Sequence, residues 1–270
     1  MRGFVRLAAL VAFLVWVQAP AVHAKGKAAE PSEDFAVFVI GNTVFTLYHE
    51  FGHALIDKLE IPVLGREEDA VDSLAVLMML PDGDDPDADA LILAAADGYA
   101  MAHDQAEPDD LAFWDEHSLD IQRYAAVNCL IFGSDPDGFA ELARIVEMPD
   151  EQQERCPGIY EQTYDSWAAL LDPYFREEGQ AGGGRIHLRF KRPGKGIEPG
   201  LVTLLKRSDA LREAVETVAE TFVLPGDFDV VFESCDDSNA YYDPETGNVT
   251  VCYELVAYFA ALFINDAAAR

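Results

Sequence analysis

Two histidines and a glutamate lie close together in the segment His49-Glu50-Phe51-Gly52-His53. The surrounding stretch contains no helix-breaking proline, and we expect it to be helical. Because residues of an α-helix are about 100° apart around its axis, His49 and His53 lie about 40° apart and can bind one zinc ion together. Glu50 lies at the flank of this face, where its carboxylate can reach a water on the metal rather than the metal itself. The spacing is typical of hydrolases in which zinc activates water and a glutamate acts as general base.

The sequence around this pattern favours a functional site over two histidines that merely pack in a core. With 6 histidines in 270 residues, a chance match is expected about 0.01 times per chain. Most side chains between Phe35 and Asp57 are apolar, and the polar ones fall on a stripe about 100° wide. They are Asn42, Thr46, His49, Glu50, His53 and Asp57. Since unpaired buried polar groups are costly, we expect one side of this helix to line a site.

A third protein ligand is expected, because catalytic zinc sites usually combine three protein ligands with one water. The next acidic cluster is Glu67-Glu68-Asp69, at the start of a second predicted helix. Glu68 and Asp72 share one face of that helix, so Glu68 can bind the metal while Asp72 accepts a hydrogen bond from His49. Glu67 and Asp69 stay open as alternative ligands. Acidic residues also stabilise the first turn of any helix, which accounts for one or two of the cluster but not for Asp72.

Further side chains are candidates for supporting roles. Asp57 follows His53 by one helical turn and could orient its ring. His103 and His117 are outside candidates for the metal site, since such histidines are more often surface or capping residues. The positions that a metzincin fills with glycine and a further ligand hold apolar residues here, which excludes that class.

Peptide hydrolysis also needs a hydrogen-bond donor for the developing oxyanion. Tyr242, Tyr241 and His103 are the candidates, although tyrosines in a hairpin usually serve packing. An extended substrate also needs a sheet edge to bind, and the predicted hairpin from Ala240 to Cys252 could supply it.

The N-terminus and the charge balance bear on where the protein works. Arg2 and Arg6, an apolar run from Leu7 to Val17 and the small residues before Lys25 predict a signal peptide over residues 1–24. We therefore expect export to the periplasm or the extracellular space, with no stable membrane insertion, since no second long apolar run follows. The net charge of −30 disfavours nucleic acid as a partner.

The 4 cysteines of an exported protein favour disulfide bonds. Three connectivities are open, and the local pairs Cys129–Cys156 and Cys235–Cys252 are favoured. The second pair flanks the predicted hairpin, where facing strands could bring the sulfur atoms together.

Hydrophobic periodicity and Pro/Gly punctuation predict an α+β fold. The expected parts are a helical region over residues 25–178 that carries the HExxH pattern, a Gly-rich linker with a strand over 179–200, and an α/β part over 201–270 packed on the same domain. Helices are expected at 33–61, 66–80, 88–106, 109–132, 136–147, 158–171, 208–223 and 253–265, and strands at 185–190, 229–233, 240–242 and 248–252.

Five segments carry a resemblance to a known family. They are Tyr48–Asp57, Ile61–Ala70, Gly133–Pro136, Asn239–Glu245 and Cys252–Leu255. Together they resemble bacterial metallopeptidases long catalogued as a domain of unknown function. More distantly, HExxH followed by ExxxD is similar to the gluzincin zinc peptidases, of which thermolysin is the familiar case.

The resemblance implies a mainly helical, zincin-like catalytic body with a small C-terminal β-hairpin or sheet and a terminal helix. It also implies peptidase chemistry on a peptide or protein substrate, and the spacing of the motifs predicts a Zn²⁺ cofactor on His49, His53 and Glu68 with Glu50 as the base. The alternative is a secreted binding or assembly protein that retains a structural or vestigial zinc.

Overall fold

The computed structural model describes residues 32–270 except 82, 84, 108–110, 112, 178–179 and 181–182. The predicted signal peptide therefore lies outside the described residues. The helices are α1 (Glu33–Lys58), α2 (Glu67–Met79), α3 (Pro86–Gln105), α4 (Asp120–Ser134), α5 (Ala140–Ile145), α6 (Asp150–Leu171), α7 (Pro199–Arg207), α8 (Asp209–Thr221) and α9 (Tyr253–Ala269). The strands are β1 (Ile186–Phe190), β2 (Phe228–Glu233), β3 (Ala240–Asp243) and β4 (Asn248–Cys252).

Helix α1 lies at the centre of the fold, as its apolar composition predicts. Ser32 caps its N-terminus by accepting a hydrogen bond from the backbone N–H of Phe35 at 3.3 Å. Helices α2, α3, α8 and α9 and strands β3 and β4 all pack on it, and most of its residues from Phe38 to Ile56 are buried. A helix covered from so many sides can place polar side chains only where its neighbours leave a gap.

The four strands form one mixed sheet in the order β1-β2-β4-β3. Strands β1, β2 and β4 are parallel, whereas β3 is antiparallel to β4, with Tyr242 opposite Val249. Strand β3 is therefore an edge strand, and it contacts α1. The model is mainly helical with a small C-terminal sheet and a terminal helix, which confirms the α+β class.

Several predicted helix boundaries were wrong. The helix expected over 109–132 begins only at Asp120, because the described residues 113–119 form turns, bends and coil. The helix expected over 136–147 is reduced to Ala140–Ile145. Helix α6 begins at Asp150 rather than 158 and continues through Pro157, and α7 lies partly in a stretch interpreted as linker.

The fold contains two disulfide bonds, as the composition predicts. Cys129–Cys156 joins α4 to α6, and Cys235–Cys252 joins the segment after β2 to the end of β4. Disulfides are typical of oxidising compartments and are compatible with an exported protein. Within the described part of the chain, no helix is both long and apolar enough to cross a bilayer.

Gly52 lies where α1 packs on α2, and a Cβ there would lie 2.7 Å from both Cβ and Cγ1 of Val71. We expect Gly52→Ala to lower the free energy of unfolding by about 1–2 kcal/mol, because overpacking outweighs the gain in helix propensity. Gly158→Ala is the matched control, since this helical glycine has no such neighbour within 4 Å, and it should raise stability by about 0.5–1 kcal/mol. Denaturant unfolding measures both changes, and equal effects would contradict tight packing at Gly52.

Candidate metal centre

A cleft of about 830 Å³ runs along one side of α1. The polar stripe predicted from the sequence faces it, including His49, Glu50 and His53. Strand β3 lines another wall, with Ala240 and Tyr242 among its contacts. Helices α3 and α9 add apolar and aromatic surface, so a polar cluster lies beside a partly apolar groove. Such clefts are the usual sites of ligand binding and catalysis.

Three donor atoms converge in this cleft. His49 Nε2 and His53 Nε2 lie 3.3 Å apart. Glu68 Oε2 lies 3.1 Å from His49 Nε2 and 3.4 Å from His53 Nε2. The two histidines come from successive turns of α1, and Glu68 comes from the first turn of α2, which packs against it.

These separations fit a zinc ion. Nitrogen and oxygen ligands about 2.0–2.2 Å from a tetrahedral zinc lie about 3.3–3.6 Å from one another, and the three atom pairs are 3.1–3.4 Å apart. Two imidazoles and one carboxylate are also a donor set that zinc commonly takes in catalytic sites. The residues present therefore fit the metal without rearrangement of the helices.

Carboxylates hold the far side of both imidazole rings. His49 Nδ1 lies 2.7 Å from Asp72 Oδ1, the contact that the ExxxD spacing predicts. His53 Nδ1 lies 2.7 Å from Glu67 Oε1. In the structure Glu67 rather than Asp57 contacts the far nitrogen of His53, and Asp57 accepts a hydrogen bond from the Tyr242 hydroxyl instead. Such contacts fix the ring orientation and leave each Nε2 facing the metal position.

Glu50 is buried beside the histidines and lines the cleft. Burial raises the pKa of its carboxyl above the usual value, against the attraction of His49 and His53. The backbone of Tyr242 on β3 opposes this rise in the pKa of Glu50. A carboxylate with a raised pKa is better matched to accepting and returning a proton near neutral pH.

Of the three candidate oxyanion donors, Tyr242 and Tyr241 line the cleft and His103 does not. The Tyr242 hydroxyl donates a hydrogen bond to Asp57 Oδ2 at 2.6 Å, and burial and Asp57 raise the pKa of Tyr242 above its usual value, so it stays protonated. Tyr241 also lines the cleft and is partly exposed. His103 lies on α3 outside the described lining of the cleft.

A family model described as "Putative metallopeptidase" matches residues 10–171 and 198–270, most of the chain. The chain belongs to this metallopeptidase family. No curated protein and no solved structure gives a significant match. The matched ranges contain the histidines, Glu50 and Glu68 on α1 and α2, and Tyr242 on β3. Family membership implies a metal ion and supports hydrolase activity on peptides or proteins. In agreement, His49, Glu68 and His117 form a group that could hold a metal, with ligand atoms within 4.8 Å of one another.

The candidate metal centre includes two residues that sequence reasoning missed or ranked low. His117 Nε2 lies 2.9 Å from Glu68 Oε2. Arg123 donates two hydrogen bonds to Asp72, each 2.7 Å long, and its guanidinium lies 4.4 Å from the ring centroid of Tyr99. The sequence feature that could have indicated a role for His117 is Asp115, two residues before it. An aspartate at this spacing is typical of a turn that fixes the following side chain. Arg123 carries no such signal, because its partner Asp72 is 51 residues away.

The carboxylates of this centre favour the protonated form of its histidines. Burial opposes a charge on His53, but its contacts with Glu68 and Glu67 outweigh burial and raise its pKa to about 9. Asp72 and Glu68 likewise raise the pKa of His49 against burial. Burial opposes a charge on Glu68, but its contacts with His117, His49 and His53 outweigh burial and hold the pKa of Glu68 well below its usual range. A metal must therefore displace protons from the imidazoles before they can act as ligands.

Stabilisation by zinc is expected to grow as the pH rises from about 6 to 9. The raised pKa of His53 gives the metal-free protein stability that is fully present below the unfolded value of about 6.5 and is lost as the pH rises through about 9. Zinc competes with the proton on His53 Nε2, so it binds more tightly as His53 loses that proton. Thermal unfolding with zinc or with EDTA at each pH measures the difference. A zinc-induced shift that does not change with pH would argue against coordination by His53.

Proposed function

We propose that this protein is an exported zinc metallopeptidase that hydrolyses peptide bonds. In this proposal His49, His53 and Glu68 hold the zinc, and Glu50 is the general base. The observation that supports it best is the mutual distance of the three donor atoms, 3.1–3.4 Å, with Glu50 beside them in an open cleft. The order HExxH on α1 and ExxxD on α2 favours the gluzincin type.

Each protein group then has a chemical task. A bound zinc ion supplies Lewis acidity, which polarises the scissile carbonyl and makes water acidic enough to deprotonate near neutral pH. Glu50 takes the proton of the attacking water and returns it to the leaving amine. Asp72 and Glu67 keep the two imidazoles oriented from their Nδ1 atoms.

Strand β3 is the proposed docking edge for an extended substrate. It is the edge of the sheet and lines the cleft from Ala240 to Tyr242. The backbone of Tyr242 lowers the pKa of Glu50 against the effect of burial, which indicates that this residue's backbone faces the reacting groups. Because backbone direction alternates along a strand, Ala240 faces the same way, and a peptide could pair there as an added strand.

Tyr242 is the proposed donor to the developing oxyanion. Its hydroxyl lies in the cleft, stays protonated and is held by Asp57. It would have to turn from Asp57 towards the substrate oxygen in the transition state. Oxyanion donors commonly contribute about 10²–10³-fold in rate.

The experiment that tests the function uses protein that starts at Lys25. It is incubated with an unfolded, fluorescently quenched protein substrate, after EDTA treatment and after zinc is returned. We expect cleavage that EDTA abolishes and zinc restores. Bound zinc with no cleavage of diverse polypeptides would instead support the binding or assembly protein. Sequencing the N-terminus of the protein in periplasmic and culture fractions tests export, with Lys25 as the expected first residue.

A further inference from the structure

We propose that His117 is a fourth, exchangeable protein ligand of this metal centre, which closes it in the resting protein. This inference rests on the proposed zinc site. It adds a residue that neither HExxH nor ExxxD includes. It also predicts a resting state in which substrate or water must displace a protein side chain before hydrolysis begins.

The first argument is the position of the ring. His117 Nε2 lies 2.9 Å from Glu68 Oε2, the same oxygen atom that His49 Nε2 and His53 Nε2 approach. One ligand atom from each of His49, Glu68 and His117 lies within 4.8 Å of the others. The rings of His117 and His49 are nearly parallel, at 17°, with centroids 5.9 Å apart. Three imidazoles thus surround one carboxylate oxygen.

The second argument is a shared orientation. Each of these histidines presents Nε2 to Glu68, and each has Nδ1 against a carboxylate oxygen at 2.7–3.1 Å. The carboxylates are Asp72 for His49, Glu67 for His53 and Asp115 for His117. A carboxylate on the far nitrogen is the arrangement that metal-binding histidines usually have. His117 therefore makes the same two kinds of contact, through Nε2 and Nδ1, as the two histidines of the HExxH pattern.

The segment that carries His117 is attached to the helix that carries Glu68. Asp115 Oδ1 accepts a hydrogen bond from the backbone N–H of His117 at 2.9 Å, which sets the local turn. Ser118 donates a hydrogen bond to Asp69 Oδ1 at 2.7 Å, on the first turn of α2. These contacts place His117 over Glu68 without placing it in a helix.

The same geometry explains why this ligand can exchange. His49, His53 and Glu68 lie on packed helices, with side chains 7%, 16% and 15% exposed, whereas the side chain of His117 is 42% exposed. Four protein ligands are typical of closed structural zinc sites, whereas hydrolysis needs an open position. A ligand on a turn, held by Asp115 and Ser118, can leave without moving α1 or α2.

The test compares zinc-loaded wild-type protein with His117→Ala and His117→Gln. His103→Ala is the matched control, because it removes a histidine outside the described lining of the cleft. Zinc affinity is measured by chelator competition, and the visible spectrum of the Co²⁺-substituted protein reports the ligand set. Acetohydroxamate is titrated into each Co²⁺ form, as a small molecule that competes for the open position. Circular dichroism checks that each variant is folded.

We expect both His117 variants to bind zinc at least about tenfold more weakly, to change the Co²⁺ spectrum, and to bind acetohydroxamate several-fold more tightly than wild type. His103→Ala should change none of these. Unchanged zinc affinity and an unchanged Co²⁺ spectrum in the His117 variants would overturn the inference, even if hydrolysis falls, because His117 would then act on the substrate. Wild-type protein that binds no zinc would overturn the proposed function itself.

Discussion

Replacement of Glu50 by glutamine is expected to reduce peptide hydrolysis by about 10²–10⁴-fold while zinc stays bound. The amide has nearly the same shape as the carboxyl group but cannot accept and return a proton. Glu50 is not among the proposed ligands, so the donor set of His49, His53 and Glu68 is unaffected. The fold should tolerate the change, because burial already raises the pKa of Glu50 and so favours an uncharged group there.

The measurement pairs the hydrolysis rate with the zinc content of the same sample. Glu60→Gln is the matched control, since Glu60 is exposed just beyond the end of α1. It should change neither quantity. A Glu50→Gln protein that retains zinc and also retains most of its activity would exclude Glu50 as the general base.

Replacement of Asp72 by alanine is expected to weaken zinc binding by about 10–100-fold and to lower the free energy of unfolding by about 3–5 kcal/mol. Asp72 contacts His49 on one side and receives two hydrogen bonds from Arg123 on the other. Its loss frees the His49 ring to turn and leaves the Arg123 guanidinium, which is largely buried, without its carboxylate. The effects on metal binding and on stability therefore have different origins.

The double variant Asp72→Ala/Arg123→Met separates those origins. It removes the buried charge as well as its partner, so most of the stability should return. Zinc affinity should stay low, because His49 still lacks its carboxylate. Asp229→Ala is the control, as Asp229 pairs with Arg189 rather than a histidine and lies outside the described lining of the cleft. Zinc affinity that recovers together with stability would show that Asp72 acts on folding and does not orient His49.

The part of the centre that is local in sequence could be predicted. His49, Glu50 and His53 lie within five residues of one helix, so helical periodicity alone fixes their common face. Glu68 and Asp72 have the same advantage on α2, and the structure places both beside His49. The choice among Glu67, Glu68 and Asp69 stayed open, because side chains in the first turn of a helix diverge by about 100° per residue, and only the packing angle of α2 on α1 decides which one faces the histidines.

The other contacts of the centre join segments that are far apart in the sequence, so the sequence alone did not predict them. Tyr242 and Asp57 are 185 residues apart, and no periodicity links them, so Asp57 was assigned to its sequence neighbour His53. His117 lies in a stretch whose composition suits a helix, yet Asp115 fixes a turn there. That local hydrogen bond competes with helix formation and overrode the propensity of the segment.

The most direct test of the account is the metal content of the protein from Lys25 and of its Glu68→Ala variant, by elemental mass spectrometry. Glu60→Gln is the control, since Glu60 is exposed just beyond the end of α1. After dialysis against a chelator that leaves the wild type loaded, we predict about one zinc per chain in the wild type and in Glu60→Gln, and its loss in Glu68→Ala. Zinc retained in Glu68→Ala, or no zinc in any of the three after reconstitution, would contradict a catalytic site on His49, His53 and Glu68.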